Sequence, residues 1–456
     1  MTEPDPIRLL DPMFRTGAML AVFSDSSRLQ GILEFESALA RAESRLGIIP
    51  AGAAQAIQKQ CVADRFDIAE LAKAAAAAGN IAIPVVSALT RLVSADVPAA
   101  ATFVHWGATS QDAVDTGLVL QIRRAAVTLD GDAEPLSKAL RRLAEKHAAT
   151  PIVGRTWLQH AVPITFGLKA AGWFSAVERS RARLEQATQA ASFVQFGGAA
   201  GSLASLGDRG LDVAKALAKE LDLDVPDLPW HAHRDRMVDV GSALGVLIGT
   251  LGKIARDISL LMQSELGEVA EPSAPGRGTS SSMPQKQNPV ACAAVLAAAT
   301  RAPGLVATLL FAMPQEHERG LGGWQAEWET LPELFLLASG AVSHTSAAIE
   351  GLQVNAERML DDVNVTRGLV MAEAVTMALS PAVGRERAHQ IVAAASRLAV
   401  AEGIHLRDVL AKDDEASRYL PVDALNHLFT LDVHVKAAER LVRHALEARP
   451  RTRAQA

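Results

Sequence analysis

The sequence predicts an all-α fold, with three helical domains around a central bundle of long helices. Three observations predict it. Of 456 residues 49% are apolar, yet aromatics number only 12 Phe, 6 Trp and 1 Tyr. The apolar weight therefore sits in Ala, Leu, Val and Ile, which suits closely packed helices better than a sandwich or barrel built from aromatic and β-branched residues. Apolar positions recur at helical spacing along most of the chain, and no run of alternating strands or internal repeat interrupts them. At roughly 150 residues per domain the length suggests about three domains with ample core. The expected divisions are an N-terminal helical domain at 1–110, a central long-helix domain at 111–354 and a C-terminal helical domain at 355–456.

Each helix has its own warrant. Between Ser26 and Leu46, the residues Ile32, Phe35, Leu39, Ala42 and Leu46 recur at alternating steps of three and four. Ser26 or Ser27 can cap the start, and Gly47 with Pro50 gives the stop. Ala69–Ala78 reads as a helix ending at Gly79-Asn80. Ala113–Ala148, with a kink at Pro135, and Thr165–Gln195 are long helical stretches. The strongest case runs from Arg236 to about Val269, where Met237, Val240, Leu244, Leu247, Leu251, Ile254, Ile258 and Leu261 keep a strict heptad. Such a helix spans about 50 Å. Gly241, Gly245, Gly249 and Gly252 form a second seam on it. Glycine costs about 1 kcal/mol per position in a helix interior, so close approach of a neighbouring helix is expected. Two seams imply at least two partners and a bundle that continues across subunits. Val290–Met313, kinked at Pro303, and Glu327–Leu352, interrupted at Pro332, complete the set.

Charge and cysteine content exclude several classes. Forty-five basic against 51 acidic residues give a net charge of −6 with no basic face, which disfavours a nucleic-acid partner. Cys61 and Cys292 form no metal-ligand spacing. The N-terminal residues lack a basic region followed by an apolar core, so no signal peptide is expected. No stretch of about 20 residues stays both apolar and free of charge, so no membrane span is expected either. These readings make a soluble cytoplasmic protein the expectation. A GxSxG elbow, a P-loop, an HExxH and a complete GxGxxG are all missing. His231-Ala-His233 lacks partners at ligand spacing and reads as a helix lead-in.

Four segments concentrate polar chemistry. The first, Glu271 to Pro289, is a Gly/Ser/Pro loop between two long helices and carries Ser280, Lys286 and Asn288. It reads either as a connector whose Asn288 caps the next helix, or as a mobile lid in which hydroxyls, an ammonium and a helix N-terminus converge on an anion. In His105-Trp-Gly-Ala-Thr109-Ser110-Gln-Asp112, Thr109 and Asp112 match a capping box. Gly154-Arg155-Thr156-Trp157-Leu158-Gln159-His160-Ala-Val-Pro163 precedes another long helix, and His160 alone reads as a structural histidine. Met313 to Arg319, then Trp324 to Trp328, packs charges with aromatics, for which solvated salt links are the plain account.

Together these segments carry a resemblance. Thr279-Ser-Ser-Ser-Met-Pro-Gln-Lys286-Gln-Asn288-Pro resembles the GSSxMPxKxNP signature of the fumarase/aspartase superfamily, with Thr279 at the signature's leading glycine. The His105–Asp112 and Gly154–Pro163 segments resemble its other two regions in the expected order, and the likeness spans essentially the whole chain. GRTWLQHA, MPQEHER and GGWQAEWETLPE resemble the superfamily's muconate-lactonising branch. The resemblance implies a homotetramer with each active site assembled from three subunits, a small polycarboxylate substrate, and neither cofactor nor metal. Trp157 stands where the superfamily's lyases usually carry a histidine of their acid/base apparatus. That argues for a cycloisomerase acting on a carboxymuconate over a fumarate-releasing lyase such as adenylosuccinate lyase, or a catalytically silent helical scaffold. The nucleophile is then the substrate's own carboxylate, ionised at neutral pH. By the same resemblance Lys286 is expected as electrostatic stabiliser and general acid, with Ser280 as the other proton donor. His105, Thr109, Ser110, Arg155, Trp157, Gln159, His160, Asn288 and Arg319 are expected to bind substrate, and Glu271 to act from behind them or as a proton shuttle.

Overall fold

A computed structural model describes residues 8–274, 276–279, 282–283 and 285–448. The expected all-α architecture holds. Six long helices dominate: α1 (Asp25–Arg45), α2 (Ser110–Lys146), α3 (Phe166–Ala191), α4 (Asp235–Leu261), α5 (Val290–Ala312) and α6 (Gly323–Glu350). Pro135, Pro303 and Pro332 lie inside α2, α5 and α6, which run on through them. The cap of α1 is Ser24, whose hydroxyl accepts from Ser27 N at 3.2 Å, two residues before the first serine that the pattern suggests.

Helix α4 buries its whole heptad, from Met237 through Leu261, because those side chains share one face. It stops short of Val269. Gly267 takes a left-handed φ of 59° and its N–H donates to Gln263 O at 2.8 Å, closing a terminal turn. Val269–Ala270 then pairs antiparallel with Gln353–Val354. The glycine seam has a concrete cause. A β-carbon on Gly241, Gly245 or Gly252 would stand 2.2 Å from Leu309 Cδ1, 2.7 Å from Val306 Cγ2 or 2.6 Å from Ala299 Cβ, all on α5, while at Gly249 it meets nothing within 4 Å.

By length and composition alone, α4 and α5 are apolar enough to cross a membrane, contrary to the reading of the sequence. The most apolar window of α4 is 61% buried inside the protein, so core packing consumes its hydrophobicity; that of α5 is only 33% buried.

Contacts divide the chain into two compact units. The first comprises Met1–Glu134, Ser180–Gly252 and Ala294–His344. Its buried side chains include Leu29, Ile32, Phe35 and Leu39 from α1, Ile122 from α2 and Phe335 from α6. The second comprises Pro135–Arg179, Lys253–Ala293 and Thr345–Ala456. There Val375, Leu379, Ile391, Val392, Leu406 and Leu410 form one apolar cluster on short helices.

The second unit also holds a hairpin that helical periodicity does not reveal. Strand β1 (Pro151–Thr156) pairs antiparallel with β2 (Gln159–Thr165). The strands are six and seven residues long, too short for alternation to stand out against the long helices. Gly154 marks a register shift, and a β-carbon there would lie 2.8 Å from Val162 O.

Candidate active site

In the first unit, four of the expected site residues lie on or around the start of α2. Thr109 precedes the helix and Ser110 opens it, half-buried. The Asp112 carboxylate reaches back to Thr109 N at 3.0 Å, which is the acidic half of the expected capping box. Asp112 also accepts from Gly197 N and Gly198 N at 3.0 Å each and from His231 Nε2 at 2.7 Å. One buried carboxylate thus ties the 105–112 segment to the 197–199 loop and sets where both backbones lie. The Thr109 hydroxyl accepts from Arg319 Nη1 at 3.1 Å, and Arg319 Nη2 donates to Ala199 O at 2.9 Å. Both acceptors are neutral, so these bonds aim the guanidinium without cancelling its charge.

His105 stands on the same segment with a left-handed φ of 58°. Its Nδ1 lies 2.5 Å from Glu36 Oε1 on α1. Burial opposes the charged ring, but the Glu36 charge and hydrogen bond, with Asp112 behind them, outweigh it and hold His105 above the usual histidine value.

Beneath this cluster, Arg234 is fully buried between Asp115 (2.7 Å) and Glu327 (2.6 Å) and lies over the Trp230 ring at 4.8 Å. Trp324 Nε1 donates to Asp115 Oδ1 at 2.9 Å. The aromatic and charged stretch Trp324–Trp328 therefore anchors a buried network through Trp324 and Glu327, and the expected solvated salt links do not describe it.

In the second unit, Arg155, Trp157, Gln159 and His160 share the β1–β2 hairpin. Arg155 lies opposite His160 and Thr156 opposite Gln159, so Trp157 and Leu158 form a two-residue turn. Both residues have positive φ, 52° and 63°, in a turn of type I′ character that normally takes Asn-Gly. Trp157 is 97% and Leu158 77% exposed. Arg155 forks onto Glu268 at 2.7 and 3.1 Å and lies 3.8 Å from Asp362, so acids of its own unit already balance its charge. His160 has a buried, unpartnered Nδ1, and burial followed by the Arg155 charge lowers its pKa.

Lys286 and Asn288 stand on the loop before α5. Asn288 N donates to Gly278 O at 2.8 Å and Thr279 bridges Gln287, so the loop folds back on itself with Lys286 exposed. Ser280 lies outside the described residues. Glu271 caps α5, accepting from Ala291 N at 3.1 Å and Cys292 N at 2.9 Å. Those donors are the ones that the sequence reading gives to an external anion, and the side-chain cap is Glu271, where the plain reading has Asn288.

Sequence reasoning missed Glu36, Glu268 and Asp362. For Glu36 a signal exists: Ile32, Glu36, Leu39 and Glu43 fall on one helical stripe, and an acid on an apolar stripe asks for a partner. Arg155 and Glu268 are 113 residues apart, and no local pattern joins them.

Comparison with known proteins follows the same lines. The family profile described as Lyase matches residues 14–304, and that of the adenylosuccinate lyase C-terminus matches residues 368–445. The 3-carboxy-cis,cis-muconate cycloisomerase of Pseudomonas aeruginosa is 51% identical to this chain over 446 residues, covering 98% of the chain and 97% of that protein. Its counterpart in Pseudomonas putida is 52% identical over 419 residues, covering 92% and 99%. The crystal structure of the 3-carboxy-cis,cis-muconate lactonizing enzyme from Pseudomonas putida superposes with a TM-score of 0.90 at 49% identity, covering 96% of this chain and 98% of that one.

Proposed function

The chain belongs to the lyase family of the fumarase/aspartase superfamily, and from that premise we propose that it is a cycloisomerase converting 3-carboxy-cis,cis-muconate to a carboxymuconolactone in aromatic catabolism. The observation that carries the reading is identity of about half to two such enzymes along nearly the whole length of each. Trp157 supports it, because a substrate that brings its own ionised nucleophile needs no histidine base at that place.

In the reaction, a substrate carboxylate oxygen adds to the conjugated double bond. A C–O bond forms, the π electrons move onto a second carboxyl group as an aci-carboxylate, and a proton then closes the sequence at the α-carbon. Arg319, His105 and the Thr109 and Ser110 hydroxyls supply positive charge and hydrogen bonds to the substrate carboxylates. Such preorganised donors are commonly the largest catalytic contribution. Lys286 stabilises the aci-carboxylate and delivers the proton, with Ser280 as the other candidate donor. Gln159, His160 and Asn288 complete the carboxylate contacts, Trp157 walls the site, and Arg155 enters as the residue that fixes the hairpin through Glu268. The working form is a homotetramer in the cytoplasm; the exposed apolar residues of α5, Leu310 and Phe311, support an assembly that covers them.

The test follows the conjugated-diene absorbance of 3-carboxy-cis,cis-muconate without added metal or nucleotide. The absorbance is expected to disappear with the wild-type protein, and Lys286→Met is expected to lower kcat by about 10²–10⁴-fold with its circular dichroism unchanged. No absorbance change with wild type, or equal turnover in the variant, sinks the corresponding claim. Release of fumarate from adenylosuccinate identifies a lyase instead.

A further inference from the structure

Helix α1 carries two acids on its apolar stripe, Glu36 and Glu43, which are 1% and 0% exposed. Removing an ionised carboxylate from water costs several kcal/mol unless a partner compensates it. Both Glu43 oxygens are buried without a hydrogen-bond partner, as is Glu36 Oε2. Burial first, and then the neighbouring Glu36, push the Glu43 carboxyl up to about 8. Glu43 thus keeps its proton at neutral pH and adds no charge of its own beside Glu36. Burial and Glu36 likewise keep the Cys61 thiol protonated, with Arg41 opposing them. The group that meets Glu36 directly is His105, through Nδ1 at 2.5 Å.

His105 comes from another element, just before α2, and its left-handed backbone is of the kind that costs on the order of 1–3 kcal/mol and persists where surroundings or function require it. Its side chain is 15% exposed, and with Nδ1 on Glu36 the nitrogen left for a ligand is Nε2. When Nδ1–H donates to Glu36, Nε2 bears a proton only in the imidazolium form. Asp112 on α2 adds a second, more distant charge of the same sense. Thr109 lies on the same short segment as His105, and Arg319, from a distant part of the chain, donates to its hydroxyl.

We propose that Glu36 is a positioning residue for His105: it anchors Nδ1 and holds the ring as an imidazolium whose Nε2–H faces a substrate carboxylate beside Thr109 and Arg319. This deepens the cycloisomerase reading and rests on it. Glu36 touches no substrate and acts through the histidine, as carboxylates behind functional imidazoles do.

The test reads His105 directly. The rate of its carbethoxylation by diethyl pyrocarbonate, which attacks only neutral imidazole, is followed by peptide mass spectrometry from pH 5.5 to 8. In wild type the midpoint is expected above the ordinary histidine value of about 6.5, and in Glu36→Gln at least half a unit lower. Kinetics give the second readout. Glu36→Gln is expected to raise KM for 3-carboxy-cis,cis-muconate about tenfold at pH 7.5, with most of the loss recovered at pH 6 and kcat within threefold. A wild-type midpoint at or below the ordinary value overturns the proposal even if the variant fails to fold, and equal midpoints in the two proteins overturn it as well. A lowered midpoint in Glu36→Gln without turnover by wild type leaves the pair standing and removes the functional reading.

Discussion

Glu43 shows how one buried side chain sets a pH dependence. Its folded-state pKa of about 8 lies above the usual carboxyl value because burial, and then Glu36, disfavour its charge. Between the unfolded value near 4.5 and about 8 the folded protein holds a proton that the unfolded chain has lost. Stability is therefore highest at the acid end of that window and falls as pH rises through it, at roughly 1.4 kcal/mol per pH unit for this group. The denaturation midpoint of wild type is expected to fall from pH 5.5 to 7.5, and Glu43→Gln to flatten that fall and be more stable at pH 7.5. Urea titrations at several pH values check this, and an unchanged slope in the variant refutes it. The position of this acid was legible, since Glu43 repeats on the stripe of Ile32 and Leu39. Its lack of a partner was not, because that depends on what the rest of the fold places against it. His105 is similar: the motif marks the residue, whereas Glu36 stands 69 positions away in sequence.

At the scale of elements, the long helices were legible because an apolar heptad repeated over more than 20 residues, as from Met237 to Leu261, has one physical solution, an amphipathic helix against close neighbours. The β1–β2 hairpin was not, since two short strands carry too few alternations. Its tip places Trp157 and Leu158 in left-handed backbone, a conformation costing on the order of 1 kcal/mol or more for bulky residues. Exchanging the pair for an Asn-Gly turn by the double substitution Trp157→Asn, Leu158→Gly is expected to raise thermal stability by a few degrees. The same exchange is expected to lower kcat/KM for the muconate at least tenfold. Calorimetry and the absorbance assay read the two effects separately; full activity in the stabilised variant argues that the strained tip serves no catalytic end.

For the whole molecule, the question is what covers α5. One face meets Gly241, Gly245 and Gly252 of α4, while Leu310 and Phe311 stay 51% and 86% exposed. Apolar surface left in water over a helix of this length favours association. With the proposed tetramer, light scattering is expected to give four times the 48.1 kDa chain mass, and Phe311→Glu to shift the protein to smaller species with lower activity. A monomeric wild type that turns over substrate excludes the tetramer as the working form.

By itself the sequence determined the helical class, the long helices and the family to which the chain belongs. These follow from local periodicity and from motifs contiguous along the chain. Tertiary structure alone decided the partners of the charged groups. Glu271 fills the end of α5, Arg155 is balanced by Glu268, and Arg319 rests on neutral oxygens beside Thr109. Ionic pairing depends on distance in space through a low dielectric, and residues more than 100 positions apart become neighbours only when the helices pack. The small number of aromatics suits close helix packing, but the fold places Trp230 and Trp324 in a buried ionic network and leaves Trp157 exposed at a hairpin tip.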